Sequence, residues 1–160
     1  MATRAAVGDF VSQRALAVAG VSRGGKKFGN AVCRELKAKG YRVYPIHPHA
    51  DAIDGDPCYR RFADLPEPVG GVIVVVPPSE AQQVVRDAAA AGITRVWLQQ
   101  GAESPEAVRV CEQAGISVVS GHCILMFVEP VTSIHKLHGW VWRILGWHPS
   151  SGCEGSVLSC

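Results

Sequence analysis

The feature that most constrains the fold is the run of residues 71–76 (GVIVVV), in which every residue after the first is β-branched. No polar residue alternates with the apolar ones, so neither face of the predicted strand is suited to contact water. Pro77 and Pro78 end the run. A strand covered on both faces is typical of a parallel sheet between two layers of helices, and the sequence therefore predicts an α/β domain.

Further strands and helices alternate around this run. Apolar or β-forming segments predict four other strands, and apolar residues at helical spacing, bounded by glycines, predict three helices. Ser79 is expected to cap the second helix together with Gln82, three residues later. Because each helix provides a crossover, the order predicts a doubly wound, mainly parallel five-stranded Rossmann-like sheet with helices on both faces. The predicted strands are 15–21, 41–46, 71–76, 94–98 and 116–119, and the predicted helices are 28–39, 79–92 and 105–115.

The remaining segments are predicted as a lead-in, a loop, a further helix and a tail. Residues 1–14 are expected to be helical or irregular and to place Val7, Phe10 and Val11 on the core. Residues 47–57, rich in proline, histidine, aspartate and glycine, are expected to be a loop and to form a wall of a ligand site. A C-terminal amphipathic helix is expected to close over the sheet or to form a dimer contact. We divide the chain into a Rossmann-like domain (1–128), a helical extension (129–148, with Ile134, Leu137, Val141 and Leu145 on one face) and a disordered tail (149–160).

Composition excludes several classes of function. The 160 residues suffice for one domain with a real core, and the net charge of +2 is too small to indicate a nucleic-acid surface. No apolar run reaches the length of a membrane span and no secretory signal is evident, so a cytoplasmic protein without membrane contact is expected. The six cysteines include no CxxC pair, and we expect them to be thiols that mostly serve packing.

The segment between the first strand and its helix carries most of the chemistry. Its glycines and the helix N-terminus expose N–H groups, which favour phosphate. Ser22 can donate to a phosphate oxygen, and the basic side chains can neutralise its charge. Lys27 stands where a Walker loop needs a hydroxyl for Mg²⁺, so nucleotide hydrolysis is disfavoured; a solvated turn without a ligand is the alternative. The candidate residues of this loop are Gly20, Val21, Ser22, Arg23, Gly24, Gly25, Lys26, Lys27, Phe28 and Gly29.

The end of the second predicted strand discriminates between nucleotides. NAD-binding domains place an aspartate or glutamate there, which accepts hydrogen bonds from the ribose hydroxyls. This chain has Ile46-His47-Pro48-His49 instead, with no carboxylate. Two histidines beside a basic loop tolerate a phosphorylated ribose, and the missing carboxylate disfavours NAD.

Several linked segments resemble the small single-domain CoA-binding proteins of Rossmann type, relatives of the CoA-binding domain of succinyl-CoA synthetase α subunits. The resemblance covers about residues 10–127 and rests on AVAGVSRGGKKFGNAVCRELKAKGYRVYPIHP, VIVVVPP, ITRVWLQQGAESPEA and GISVVSGHCILM. It implies that residues 22–25 and the following helix start hold the CoA pyrophosphate. It also implies that His47, Pro48 and His49 lie by the nucleotide and that Val76, Pro77 and Pro78 line the adenosine side. Many relatives carry a lysine where His49 stands.

The function expected from this resemblance is binding of coenzyme A or an acyl-CoA by a non-catalytic carrier, sensor or regulatory module. The phosphorylated histidine of the synthetase lies in its second domain, outside the matching segments, so acyl-CoA synthesis is not expected. The alternatives are an NAD(P)-dependent oxidoreductase and a structural or dimerising protein with a vestigial loop. A homodimer or an unknown protein partner is compatible with all three.

Other reactive side chains are given no role. Cys123 and the histidines at 122, 135 and 138 are candidates for a thiol or metal site. The spacing of His135 and His138 is common by chance on helices, and a free cysteine is usually a small buried hydrophobe. We therefore predict no catalytic residue and no metal ligand.

Overall fold

The computed structural model describes residues 3–129, and within them thirteen short elements follow one another. From residue 130 onward, the predicted helical extension (129–148, including His135 and His138) and the predicted tail lie outside the described residues. No helix within residues 3–129 is long and apolar enough to cross a membrane. In chain order the elements are α1 (Arg4–Val11), β1 (Ala15–Ala19), α2 (Phe28–Ala38), β2 (Arg42–Ile46), β3 (Ala52–Ile53), β4 (Asp56–Pro57), a 3₁₀ turn (Phe62–Asp64), β5 (Gly71–Val74), α3 (Pro78–Ala90), β6 (Arg95–Gln99), α4 (Pro105–Gln113), β7 (Ser117–His122) and a second 3₁₀ turn (Ile124–Met126).

Five strands form one parallel sheet in the order β2-β1-β5-β6-β7. After β1 the chain moves outward to β2 and then returns to the other side of β1 to form β5, so the strand order reverses between β1 and β5. The register places Ala19 beside both Ile46 and Val74, and the carboxyl ends of β2, β1 and β5 are therefore level. The predicted doubly wound fold is confirmed, and this edge of the sheet is where such folds hold their ligands.

Helices cover both faces of the sheet, as the sequence predicts. One core cluster packs α1 and α2 on the side of Leu16 and Val18, and the other packs α3 and α4 on the side of Ala17 and Val72. Trp97 belongs to the first cluster, is fully buried, and donates its indole N–H to the carbonyl oxygen of His122 at 3.0 Å. Alternate residues of the strands thus supply both cores, which explains the unbroken apolar runs.

The lead-in and the cysteines also agree with the sequence. Thr3 caps α1 by accepting a hydrogen bond from the N–H of Ala6, and the helix buries Val7 and Phe10. The free cysteines at 33, 58 and 111 are buried, which confirms the packing role, and Cys123 is half-buried. Burial raises the pKa of Cys33 to about 12 and that of Cys111 to about 11, so both are protonated at neutral pH.

The structure corrects the predicted start of the helix at residues 79–92, which is α3. Ser79 does not cap α3: the helix begins at Pro78, follows Pro77 as the N-cap residue, and has no side-chain cap. Proline at the first helical position already has a φ value suited to a helix and lacks an N–H that would need a partner. The N-cap residue therefore lies two positions earlier than a capping box at Ser79 predicts.

Several predicted boundaries also differ from the structure. The segment 47–57 is not entirely loop, because β3 and β4 pair as a short antiparallel hairpin within it. β1 and β5 each end two residues before the predicted end, while β7 continues to His122. Apolar composition does not distinguish the last paired residue of a strand from the buried residue that follows it, and backbone pairing decides the boundary.

Candidate functional site

Two glycines bring the end of β1, the end of β5 and the start of α2 into close contact. Gly20 has a positive φ of 115°, and a Cβ atom on it would lie 2.4 Å from the carbonyl oxygen of Val75. A Cβ atom on Gly29 would lie 2.5 Å from the carbonyl oxygen of Gly20. Both positions therefore require glycine, the first for its conformation and both for the close approach of backbone. These close backbone contacts explain why glycine stands at each end of the predicted loop.

The loop is held by a buried side chain that sequence reasoning missed. Asn30, fully buried in the first turn of α2, accepts hydrogen bonds at its Oδ1 from the N–H of Ser22 (2.9 Å) and from its hydroxyl (3.2 Å). Its Nδ2 donates to the carbonyl oxygen of Ser22 at 3.0 Å. The hydroxyl expected to contact phosphate is thus engaged by Asn30 in this structure. An asparagine in the first turn of a predicted helix, where a side-chain amide can bond the backbone of the preceding loop, is the signal that could have identified it.

A carboxylate lies behind the loop, and it too was missed. Asp54, in the turn between β3 and β4, accepts hydrogen bonds from Asn30 Nδ2 (3.2 Å) and from Arg34 (3.0 Å). A Cβ atom on Gly25 would lie 2.7 Å from Asp54 Oδ1, so the turn packs directly on the loop. The hairpin therefore anchors the loop to α2, and its carboxylate is occupied by that contact.

The basic side chains of the loop are exposed, and two of them, Arg23 and Lys27, lie near His47 at the end of β2. Arg23, Lys26 and Lys27 are exposed, and within residues 3–129 none of them pairs with a carboxylate. Burial lowers the pKa of His47, and the charges of Arg23, His49 and Lys27 lower it further. His47 Nδ1 accepts a hydrogen bond from the backbone N–H of His49 at 3.1 Å. The first loop and the end of β2 thus form one positively charged surface.

The start of α2 is open toward this surface. The N-cap residue Lys27 makes no side-chain hydrogen bond to the helix. Among residues 3–129, no acceptor engages the backbone N–H of Phe28 or Gly29. Free N–H groups and the positive end of the helix dipole favour an anion here. Phe28 as a whole residue is 46% exposed, whereas Val21 is buried in the core.

A cleft of about 470 Å³ adjoins this surface at the carboxyl edge of the sheet. Of the predicted site residues, Gly20, Pro48 and Val76 line it; Pro77 and Pro78 are exposed at the start of α3 beside it. Its floor is apolar, and charged side chains stand on its walls. Glu80, Val84 and Asp87 follow one face of α3, and the C-cap residue Ala91 continues it, a periodicity that could have indicated this wall. The lining residues are Ala19, Gly20, Ile46, Pro48, Arg60, Arg61, Phe62, Ala63, Val76, Glu80, Val84, Asp87, Ala90 and Ala91.

Of the other candidate reactive residues, His122 and Cys123 lie within residues 3–129. No group of three or more histidine, cysteine, aspartate or glutamate side chains is placed to hold a metal within residues 3–129. His122 and Cys123 lie at the end of β7, where Gln99 Oε1 accepts a hydrogen bond from the N–H of Ile124 at 3.1 Å. The arrangement as a whole, a positive loop beside an apolar cleft, suits a nucleotide with its phosphates on the loop and its base in the cleft.

Comparisons with known proteins agree with a nucleotide-binding site. A family model described as "CoA binding domain" matches residues 14–129. The chain is similar to the alpha subunit of an ADP-forming acetate–CoA ligase II from Pyrococcus furiosus (26% identity over 126 residues, 72% of this chain and 28% of that protein). It is also similar to an ADP-forming acetate–CoA ligase II from Archaeoglobus fulgidus (28% identity over 130 residues, 79% of this chain and 19% of that protein). The matched segment is thus a small part of each curated relative.

Two solved structures share the fold. A conserved hypothetical protein from Pyrococcus furiosus has 40% identity and a TM-score of 0.66, covering 70% of this chain and 97% of that one. The dinucleotide-forming acetyl-coenzyme A synthetase 1 of Ca. Korarchaeum cryptofilum has 31% identity and a TM-score of 0.59, covering 66% of this chain and 25% of the synthetase. The same domain architecture therefore occurs in a small protein and as a part of a large enzyme.

Proposed function

The chain belongs to the family of CoA binding domains, and from that premise we propose that it binds coenzyme A or an acyl-CoA without catalysing a reaction itself. The pyrophosphate lies on the loop from Gly20 to Gly29 and on the start of α2, and the adenosine lies in the adjoining cleft. Binding serves a carrier, sensor or regulatory role. The observation that carries the proposal is the convergence of Arg23, Lys27 and His47 beside the open helix start.

The charges at the loop suit a diphosphate group. A pyrophosphate brings two negative charges, and it accepts hydrogen bonds from the free N–H groups of Phe28 and Gly29 as well as from the basic side chains. Because these side chains are exposed, each contact is screened and contributes about 0.2–1 kcal/mol. The backbone, rather than any one lysine, therefore supports the geometry of the complex.

The carboxylates of the region favour CoA over NAD. The end of β2 offers no acid at residues 46–49, where an NAD site needs an acceptor for the ribose hydroxyls. The acids that follow are occupied: Asp51 pairs with Arg60, and Asp54 accepts from Asn30 and Arg34. A ribose that carries an additional phosphate suits the positive surface better than a free ribose does.

The proposal is limited to binding because of what the cleft contains. Its polar side chains are two arginines and two acids on opposite walls, and residues 3–129 bring no pair of nucleophile and base into it. The ligases named above are several times longer than the segment they share with this chain. Their activity is that of the whole enzymes, and for this chain we propose only the step that the shared domain supports.

Isothermal titration calorimetry tests the proposal. Wild-type protein is titrated with CoA, acetyl-CoA, NAD⁺ and NADP⁺, and we expect binding of CoA with an affinity that falls as salt is added. The double variant Lys26→Ala/Lys27→Ala should weaken binding and flatten the salt dependence. Lys39→Ala, at the opposite end of the same helix, removes a positive charge away from the site and is the matched control. Clear binding of NAD⁺ or NADP⁺ with no heat from CoA would overturn the proposal, and comparison of CoA with acetyl-CoA decides the acyl form.

A further inference from the structure

Two adjacent arginines stand on the wall of the cleft, each held by a carboxylate. Arg60 donates from Nε and Nη2 to the two oxygens of Asp51 at 3.0 and 3.1 Å. Arg61 donates in the same way to Asp64 at 3.0 and 2.8 Å. Planar two-point contacts of this kind are also the contacts that arginine makes with phosphate. Both side chains line the cleft, and each guanidinium can make the same two-point contact with a phosphate in place of its carboxylate.

Backbone contacts place Arg60 at the end of the cleft that faces the positive loop. The preceding residue, Tyr59, accepts a hydrogen bond from the N–H of His47 and donates its own N–H to the carbonyl oxygen of Pro45, both at 2.9 Å. Arg60 thus begins directly beside the end of β2, and its partner Asp51 lies two residues beyond His49. Arg61, by contrast, pairs within the local 3₁₀ turn, three residues along the chain.

We propose that Arg60 exchanges Asp51 for a phosphate on the ribose of the bound nucleotide, so that the site selects CoA over dephospho-CoA. The inference rests on the proposed function and identifies which part of CoA the cleft recognises. With the pyrophosphate on the loop and the base over the apolar floor, the ribose lies between them, next to Pro48 and Arg60. With the ribose placed there, a phosphate on it lies beside the guanidinium of Arg60.

The exchange is energetically accessible because the existing ion pair is exposed. The side chain of Arg60 is 58% exposed and that of Asp51 is 80% exposed, and ion pairs in such surroundings contribute little to stability. A phosphate monoester carries up to two negative charges at neutral pH and presents more acceptor oxygens than one carboxylate does. We therefore expect CoA to bind about 10-fold more tightly than dephospho-CoA, a typical gain for one charge-assisted contact of this kind.

The test is a calorimetric comparison of CoA with dephospho-CoA on wild-type protein and four variants. Arg60→Ala should reduce the preference for CoA to about 2-fold or less, with a larger loss of affinity for CoA than for dephospho-CoA. Asp51→Asn should increase the preference, because Arg60 is then free and a negative charge is removed. Arg61→Ala identifies which arginine acts. Arg42→Ala is the matched control, since Arg42 is also 58% exposed and pairs with a carboxylate, Glu67, at the opposite edge of the sheet.

The outcomes separate this inference from the proposed function. Equal affinities of the wild type for CoA and dephospho-CoA would overturn the role of Arg60 and leave CoA binding in place. A preference that persists in Arg60→Ala, or that is lost in Arg61→Ala instead, would also overturn it. If neither ligand binds, the proposed function fails and this inference fails with it. Circular dichroism confirms that each variant is folded, and Asp51→Asn, which predicts a gain, provides a test that does not depend on loss of binding.

Discussion

Replacement of Asn30 by alanine should loosen the loop that holds the ligand while leaving the sheet intact. Asn30 is fully buried and makes four hydrogen bonds, three to Ser22 and one to Asp54. The alanine variant leaves the backbone N–H and carbonyl of Ser22 without these partners and removes the hydrogen bond between residue 30 and Asp54 in the β3–β4 hairpin. The perturbation therefore acts on the loop, the helix start and the hairpin together.

The size of the effect follows from these contacts. At about 0.5–1.5 kcal/mol for each hydrogen bond, four bonds correspond to a loss of about 2–6 kcal/mol. Ser22 and Asp54 are both partly exposed, so water replaces some of the lost contacts. We expect the free energy of unfolding to fall by about 2–3 kcal/mol, which lowers the melting temperature by roughly 5–10 °C for a domain of this size.

Urea denaturation followed by circular dichroism measures this change, with CoA titration of the same sample. Glu35→Ala, an exposed position on the same helix, is the control and should change the free energy of unfolding by less than about 0.5 kcal/mol. CoA should bind the Asn30→Ala variant more weakly, because part of the interaction energy is then used to order the loop when CoA binds. A loss of stability below about 0.5 kcal/mol, or unchanged CoA affinity, would refute the assignment of Asn30 as the residue that positions the loop.

Three further predictions concern a glycine, a histidine and the buried thiols. Gly29→Ala should destabilise the protein by about 1–3 kcal/mol in urea denaturation, because its Cβ would lie 2.5 Å from a backbone carbonyl oxygen, whereas Gly24→Ala, with nothing within 4 Å, should be near neutral. Because the pKa of His47 is lowered below its ordinary value of 6.5, the unfolded chain binds the proton better, and the unliganded protein should lose stability as pH falls below about 6.5. Bound phosphate favours the imidazolium form, so CoA affinity should rise over the same interval, with proton uptake seen as a dependence of the calorimetric heat on the buffer; stability and affinity that both rise toward low pH would contradict this account. Cys33 and Cys111, whose pKa values are raised to about 12 and about 11, should resist alkylation at pH 8 in the native protein and react after unfolding; labelling of the folded state, read by mass spectrometry, would show that they are accessible.

Much of the fold is predictable because its causes are local. The β-branched run at 71–76 indicates a strand buried on both faces, and helical spacing bounded by glycines indicates the crossovers. These patterns depend on neighbours within a few residues, and the sheet, its two helical layers and the position of the loop follow from them. Local patterns are weaker at boundaries, which is why Ser79 was wrongly expected to cap α3 and why the hairpin at residues 52–57 was missed.

The candidate site likewise has features that the local sequence predicts and others that depend on tertiary contacts. The sequence alone determined that a glycine-rich, basic loop joins the first strand to its helix, and that the second strand ends in histidines rather than in a carboxylate. Only the tertiary structure decided what supports and faces that loop: Asn30 beneath Ser22, Asp54 packed from behind, and Arg60 across the cleft. Asp54 lies 24 residues from Asn30, and the two arginines and two acids of the cleft come from separate segments of the chain, so no local periodicity links them. Their approach is set by the strand register and by the hairpin that packs on α2, so it is decided when the chain folds as a whole.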